Sequence, residues 1–260
     1  MSGLSGLNGP SRLNGHRAVV TGGTHGMGFA IAEALVEGGA EVVVTGRDEG
    51  RTEKAREALP AERAHVVRSD AASAADIEAL GRLVEERFGS FDYLFVNHGV
   101  AEFEKLREVT EESWDRHFAV NTKGAFFTVK RLEPLLADGG AIVLTTVAND
   151  TIFPGLSAYA GSKEAVSAFG QVLAAELAPR GIRVNSLAPG YILTPSMGVG
   201  GLTAEERAAF VAEGGEATPL KRLGTVEEVA AAALFLAADA TFTTGTELAV
   251  DGGFAQGLGG

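Results

Sequence analysis

The stretch RAVVTGGTHGMGFAIAEALVEGG, residues 17–39, decides the fold. Its opening RAVVT is a short apolar run rich in β-branched valine and threonine, which reads as a strand. The run GMGFAIAEALVEGG that closes it reads as a helix. Between the two, Gly22, Gly26 and Gly28 stand in the spacing G-x-x-x-G-x-G. Glycine permits backbone conformations that a side chain blocks, and it lets a pyrophosphate approach the amides that open the next helix. The chain contains 35 glycines, so an ordinary turn is the competing reading. The strand before and the helix after weigh against it.

Outward from this unit the same alternation continues. Strand-like runs AEVVVTGR, AHVVRSD, DYLFVN, AIVLTT, IRVNSLAPG and TELAVDGG are separated by helix-like stretches around TEKAREAL, ADIEALGRLVEERFG, Trp114 to Leu136, the segment carrying Tyr159, and VEEVAAAALFLA. VVV, LFV and AIVL are apolar without alternation, as expected of strands covered on both faces. The pattern predicts an α/β fold: one domain, over 15–260, built on a doubly wound parallel sheet of seven strands, with ligands at the carboxyl ends of the strands. Residues 1–14, rich in Gly, Ser and Asn, read as a flexible tail. A polar insertion at about 195–218 has the length and position of a substrate lid.

The totals exclude several classes. With 45% hydrophobic and 22% charged residues the composition is globular, and no apolar run reaches the roughly 18 residues of a membrane span. A net charge of −12 without a basic cluster argues against a nucleic-acid partner. The absence of cysteine removes disulfides and thiolate chemistry and fits a reducing, cytoplasmic setting. Five scattered histidines give no metal-ligand spacing, so no metal is expected.

The tip of the second strand bears on the adenosine end of a dinucleotide. A carboxylate there would bind ribose hydroxyls and repel a 2′-phosphate. Here Gly46 holds that position and Arg47 follows, so NADP(H) is favoured, with NAD(H) possible. Thr24 and His25 are candidates to add contacts. Asp70 is either a ligand for the adenine amino group or the cap of the next helix. Downstream, Tyr159 and Lys163 are four residues apart and share one helix face. Thr146 stands thirteen residues before the tyrosine.

TGGTHGMG, NHGV at 97–100, Asn121, YAGSK at 159–163 and PGYILTP at 189–195 occur in the order found in the short-chain dehydrogenase/reductase family, which the chain resembles from about residue 14 to 254. Within it the chain is most similar to NADPH-preferring alcohol dehydrogenases and ketoreductases. The resemblance implies that Tyr159 exchanges a proton with the substrate oxygen. Lys163 would favour the phenolate and hold the nicotinamide ribose, and Asn121 would extend a proton relay. A phenol of pKa ~10 needs such help near neutral pH. Thr146 takes the place of the family's usual serine at the substrate carbonyl, keeping the hydroxyl and adding a methyl. Thr145 would face away. His98 replaces the usual alanine, as a structural group or a relay member.

The family pattern also assigns cofactor contacts to Gly22, Gly26, Met27, Gly28, Ala71, Asn97, Gly99, Pro189, Gly190, Ile192 and Thr194. Asn149, Phe153, Tyr191, Met197 and Phe210 are the expected substrate contacts. The implied activity is an NADPH-dependent carbonyl reductase, reversible as a secondary alcohol dehydrogenase, working as a homo-oligomer (tetramer or dimer) on a small molecule. The alternatives are a 3-oxoacyl thioester reductase, a non-catalytic NADP(H)-binding regulator, and a non-redox enzyme on the same fold.

Overall fold

The computed structural model describes residues 12–148, 154–195, 203–256 and 258. Seven parallel strands form one sheet: β1 Arg17–Thr21, β2 Glu41–Gly46, β3 Ala64–Arg68, β4 Phe91–Val96, β5 Leu136–Thr145, β6 Arg183–Pro189 and β7 Glu247–Val250. Their spatial order is β3-β2-β1-β4-β5-β6-β7. The order reverses between β1 and β4, and a crevice opens at that point above the carboxyl ends of the strands.

The unbroken apolar runs are explained by burial on both faces. Val20, Val44, Phe95, Val143 and Leu187 point to one side, toward α1 (Gly26–Glu37) and α8 (Val226–Leu234). Val19, Val43, Leu94, Ile142 and Leu144 point to the other. They meet α3 (Ala74–Phe88), α5 (Ala125–Leu132) and α6 (Ser157–Leu177) there. Each fully buried Val, Leu or Ile contributes ~1.5–3 kcal/mol relative to exposure. Helix α2 (Glu49–Ala58) is capped by Asp48, whose side chain accepts from Arg51 N.

The helix expected from Trp114 to Leu136 differs in detail. It starts at Glu111, where Thr110 and Ser113 form a capping box for α4 (Glu111–His117). A wider π-helical turn, Phe118–Gly124, then interrupts it before α5. Leu136 already belongs to β5. The π turn places buried Asn121 toward the sheet crevice, and such turns often mark functional positions. Packed structure also begins ahead of residue 15: Leu13 is buried, its N–H donates to Gly38 O at 2.8 Å, and Arg12 pairs with Asp239. In the expected lid region, α7 (Ala204–Ala217) carries a capping box between Thr203 and Glu206. No helix among the described residues is long and apolar enough to cross a membrane.

Candidate active site

The crevice holds a cavity of about 520 Å³ that runs from Arg47 and Asp70 at one end to Thr146, Tyr159 and Phe210 at the other. Every cofactor position expected from sequence lines it except Gly28, which braces the turn beneath. Gly22 and Gly26 take the left-handed φ values of +63° and +57°, which favour glycine. A Cβ on Gly28 would lie 2.3 Å from the Gly22 carbonyl oxygen. That carbonyl accepts from Asn97 Nδ2 at 3.1 Å, so the β4 tip is clamped onto the glycine turn.

At the adenosine end, a Cβ on Gly46 would stand 2.2 Å from Thr24 Oγ1. A carboxylate at this strand tip therefore has no room while Thr24 stays in place. Exposed Arg47 lines the cavity beside Arg51, and Arg51 Nη1 donates to His25 Nε2 at 3.1 Å. His25 is thereby the Nδ1–H tautomer, and its Nδ1 is buried without a partner. Burial, and then the Arg51 charge, lower its pKa. Arg51 was missed in the sequence, although it sits in the first turn of the helix that Arg47 precedes. Asp70 does not cap α3: Ser73 does, accepting from Asp76 N, while Asp70 accepts from Ala72 N and lines the cavity with Ala71.

At the other end, Lys163 is buried and its Nζ donates to the Thr145 carbonyl at 2.7 Å. Burial lowers its pKa to about 8 and raises that of Tyr159 to about 12. Gly99 leaves the space that Lys163 and Asn121 need: a Cβ there would sit 3.2 Å from Lys163 Nζ and 3.3 Å from Asn121 Oδ1. Asn121 uses its whole amide as a tie, accepting from Val100 N at 2.8 Å and donating to Val100 O and Ser162 Oγ, each at 2.9 Å. Ser162 Oγ in turn donates to the Tyr159 carbonyl at 2.7 Å. The side chain therefore ties α6 to the segment after β4.

Thr145 and Thr146 both line the cavity, although the sequence turned Thr145 away, and their hydroxyls take different partners. Thr145 Oγ1 donates to Asn97 Oδ1 at 3.2 Å. Thr146 lines the cavity, and its Oγ1 lies 2.8 Å from Glu247 Oε2 and 3.2 Å from Leu187 O, two acceptors outside the lining. His98 is buried, and its Nδ1 is 2.8 Å from Thr21 Oγ1. That hydroxyl also lies 3.3 Å from Phe95 O, to which it donates, which leaves the ring to donate from Nδ1. Burial first, then the Lys163 charge, lower its pKa to about 3; the Val120 backbone opposes them. The ring is therefore held in its neutral form.

In the segment after β6, Ile192 bridges to Gly224, and Gly190 abuts Asp251 closely enough that a Cβ would lie 2.7 Å from Asp251 Cβ. Thr194 Oγ1 is buried without a partner. Tyr191 packs against Phe210 of α7 and Phe254, with ring centroids 5.2 and 5.1 Å apart. Asn149, Phe153 and Met197 lie outside the described residues. Among the described residues no group of three or more His, Cys, Asp or Glu is placed to hold a metal.

A doubly wound sheet whose crevice joins a glycine turn to a tyrosine and lysine on one helix face defines a dinucleotide-dependent oxidoreductase. The glycine cradle and the orphaned Thr194 Oγ1 and His25 Nδ1 fit such a cofactor. A family model described as enoyl-(acyl carrier protein) reductase matches residues 22–255. An uncharacterised oxidoreductase of Methylorubrum extorquens is 38% identical over 249 residues, covering 94% of this chain and 99% of its own. D-beta-hydroxybutyrate dehydrogenase of Rhizobium meliloti is 36% identical, covering 91% and 97%. The crystal structure of a short-chain dehydrogenase/reductase, glucose/ribitol dehydrogenase, from Brucella melitensis superposes with TM-score 0.85 at 32% identity, covering 93% of this chain and 97% of that one. The chain belongs to the short-chain dehydrogenase/reductase family, oxidoreductases that bind a nicotinamide dinucleotide.

Proposed function

We propose that this protein is an NADP(H)-preferring carbonyl reductase, reversible as a secondary alcohol dehydrogenase. The observation that carries the reading is the single cavity: Arg47, Arg51 and His25 line one end, and Tyr159 and Lys163 line the other. The cofactor supplies or takes the hydride. Thr24 denies a carboxylate its place at Gly46, so the two guanidiniums can pair with a 2′-phosphate at that strand tip, with Asp48 the nearby carboxylate that moderates them. The amides of the glycine turn and the N-terminus of α1 receive the pyrophosphate, with Met27 beside them. Asn97, Gly99 and the Pro189–Gly190 turn flank the ring, and the Thr194 hydroxyl and Ile192 backbone hold its carboxamide.

Tyr159 gives its hydroxyl proton to the substrate oxygen during reduction and takes one back during oxidation. Positive charge on a bound oxidised nicotinamide lowers the phenol from the high pKa that burial imposes. Tyr191, Phe210 and Thr146 form the substrate side, with α7 as the lid; the D-beta-hydroxybutyrate dehydrogenase relative is consistent with a hydroxyl or carbonyl substrate. The protein is read as a cytoplasmic homo-oligomer. The test is consumption of NADPH and of NADH against ketones, aldehydes, 3-oxoacyl thioesters and an enoyl thioester. NADPH turnover on ketones at least tenfold above NADH is expected, and cofactor binding without turnover on any carbonyl would contradict the reading.

A further inference from the structure

Thr146 stands where the substrate oxygen is to be held, yet its one hydroxyl proton is already engaged. Oγ1 lies 2.8 Å from Glu247 Oε2, and the alternative acceptor, Leu187 O, is longer at 3.2 Å and already receives Thr146 N at 2.9 Å. A hydrogen bond to a carboxylate is roughly twice as strong as one to a neutral acceptor, so the proton goes to Glu247. Glu247 opens β7 and is reached from the end of β5 across the intervening β6, where small Ser186 is its register partner. Thr146 lines the cavity and Glu247 does not: the carboxylate sits behind the wall, exposed on its far side.

We infer that Glu247 is a positioning residue that sets the polarity of the Thr146 hydroxyl, turning its lone pairs, rather than its proton, toward the substrate. A hydroxyl held this way accepts from an alcohol and offers nothing to a ketone, whose oxygen only accepts. The arrangement favours ground-state binding of the alcohol, and a ketone must draw the Thr146 proton away from Glu247 before it is held. This rests on the proposed carbonyl/alcohol chemistry.

The experiment compares the wild type, Glu247→Gln, Thr146→Val and the double variant in both directions. Gln keeps the size but replaces the carboxylate with a neutral amide, whose carbonyl accepts more weakly and whose NH2 can donate to Oγ1 instead, so the hold on the Thr146 proton is loosened. Glu247→Gln lowers KM for the ketone and raises KM for the alcohol, moving their ratio about fivefold. The ratio of the two kcat/KM values stays fixed by the reaction equilibrium and serves as an internal control. In the Thr146→Val background the same change leaves the KM ratio where it was. A KM ratio unmoved by Glu247→Gln, or moved equally with and without the Thr146 hydroxyl, would overturn the inference. A melting-temperature cycle on the four proteins tests the contact without turnover: non-additive shifts are expected, and additive ones sink it. A wild type that turns over no carbonyl or alcohol defeats the reductase reading itself and this role with it, whereas turnover with an unmoved ratio defeats only the role.

Discussion

Two buried bases, His98 and Lys163, are held in their uncharged-favouring environments by the same crevice, and each leaves a signature in stability against pH. His98 has a folded pKa of about 3, below the ordinary 6.5. The unfolded chain therefore binds the proton first, and its contribution to stability is lost as pH falls below about 6.5 and continues to be lost toward 3. His98→Ala is less stable than wild type at pH 7, having lost the Thr21 hydrogen bond, but the gap narrows on acidification in melting curves; a gap constant with pH would contradict a buried neutral ring. Lys163 is lowered from 10.5 to about 8, so its burial costs stability fully below pH 8 and less as pH climbs to 10.5. Compared with Lys163→Met, wild-type melting improves across that upper window. At the strand tip, Gly46→Ala drives a Cβ into Thr24 and costs on the order of 1–3 kcal/mol, as overpacking does. Adding Thr24→Ala removes the 2.2 and 2.5 Å contacts but leaves Cβ at 2.9 Å, so it recovers part of the loss; no recovery at all would mean that something other than Thr24 sets the limit.

Among the elements, α7 is joined to the active-site segment by a hydrogen bond from Arg207 Nη2 to the Thr194 carbonyl at 2.9 Å and by the contact of Phe210 with Tyr191. Arg207→Ala is expected to raise the KM for both substrate and NADPH several-fold with little change in melting temperature, because it loosens the lid and the Thr194 segment together. Steady-state kinetics with a thermal-shift control check this, and unchanged KM values would free α7 of any gating role. The central strands were legible from sequence because each is an apolar run buried on both faces, and the glycine turn because its spacing follows a strand directly. The π turn was not legible: FAVNTKG is compatible with ordinary helix, and only packing against Val100 and Ser162 selects the wider turn around Asn121. Likewise the cap of α3 passed from Asp70 to Ser73, a shift of three residues that local sequence does not decide.

For the whole molecule, what the sequence concealed was long-range. Glu247 lies 101 residues from Thr146, and no spacing rule connects them. Arg51 reaches the cavity because helix α2 turns it toward His25, 26 residues earlier in the chain. The cavity itself, by contrast, was legible, since a doubly wound sheet fixes where its crevice must open and the motifs sit at those strand ends. Its two ends make separable predictions. Loss of Arg47 and Arg51 weakens NADPH binding at least tenfold and leaves NADH binding nearly unchanged, while loss of the Tyr159 hydroxyl touches chemistry alone. The most direct measurement of the central claim is therefore Tyr159→Phe, with NADPH affinity and carbonyl turnover measured on the same protein. The account predicts affinity within about twofold of wild type and turnover reduced at least a hundredfold; substantial turnover retained by the phenylalanine variant would contradict it.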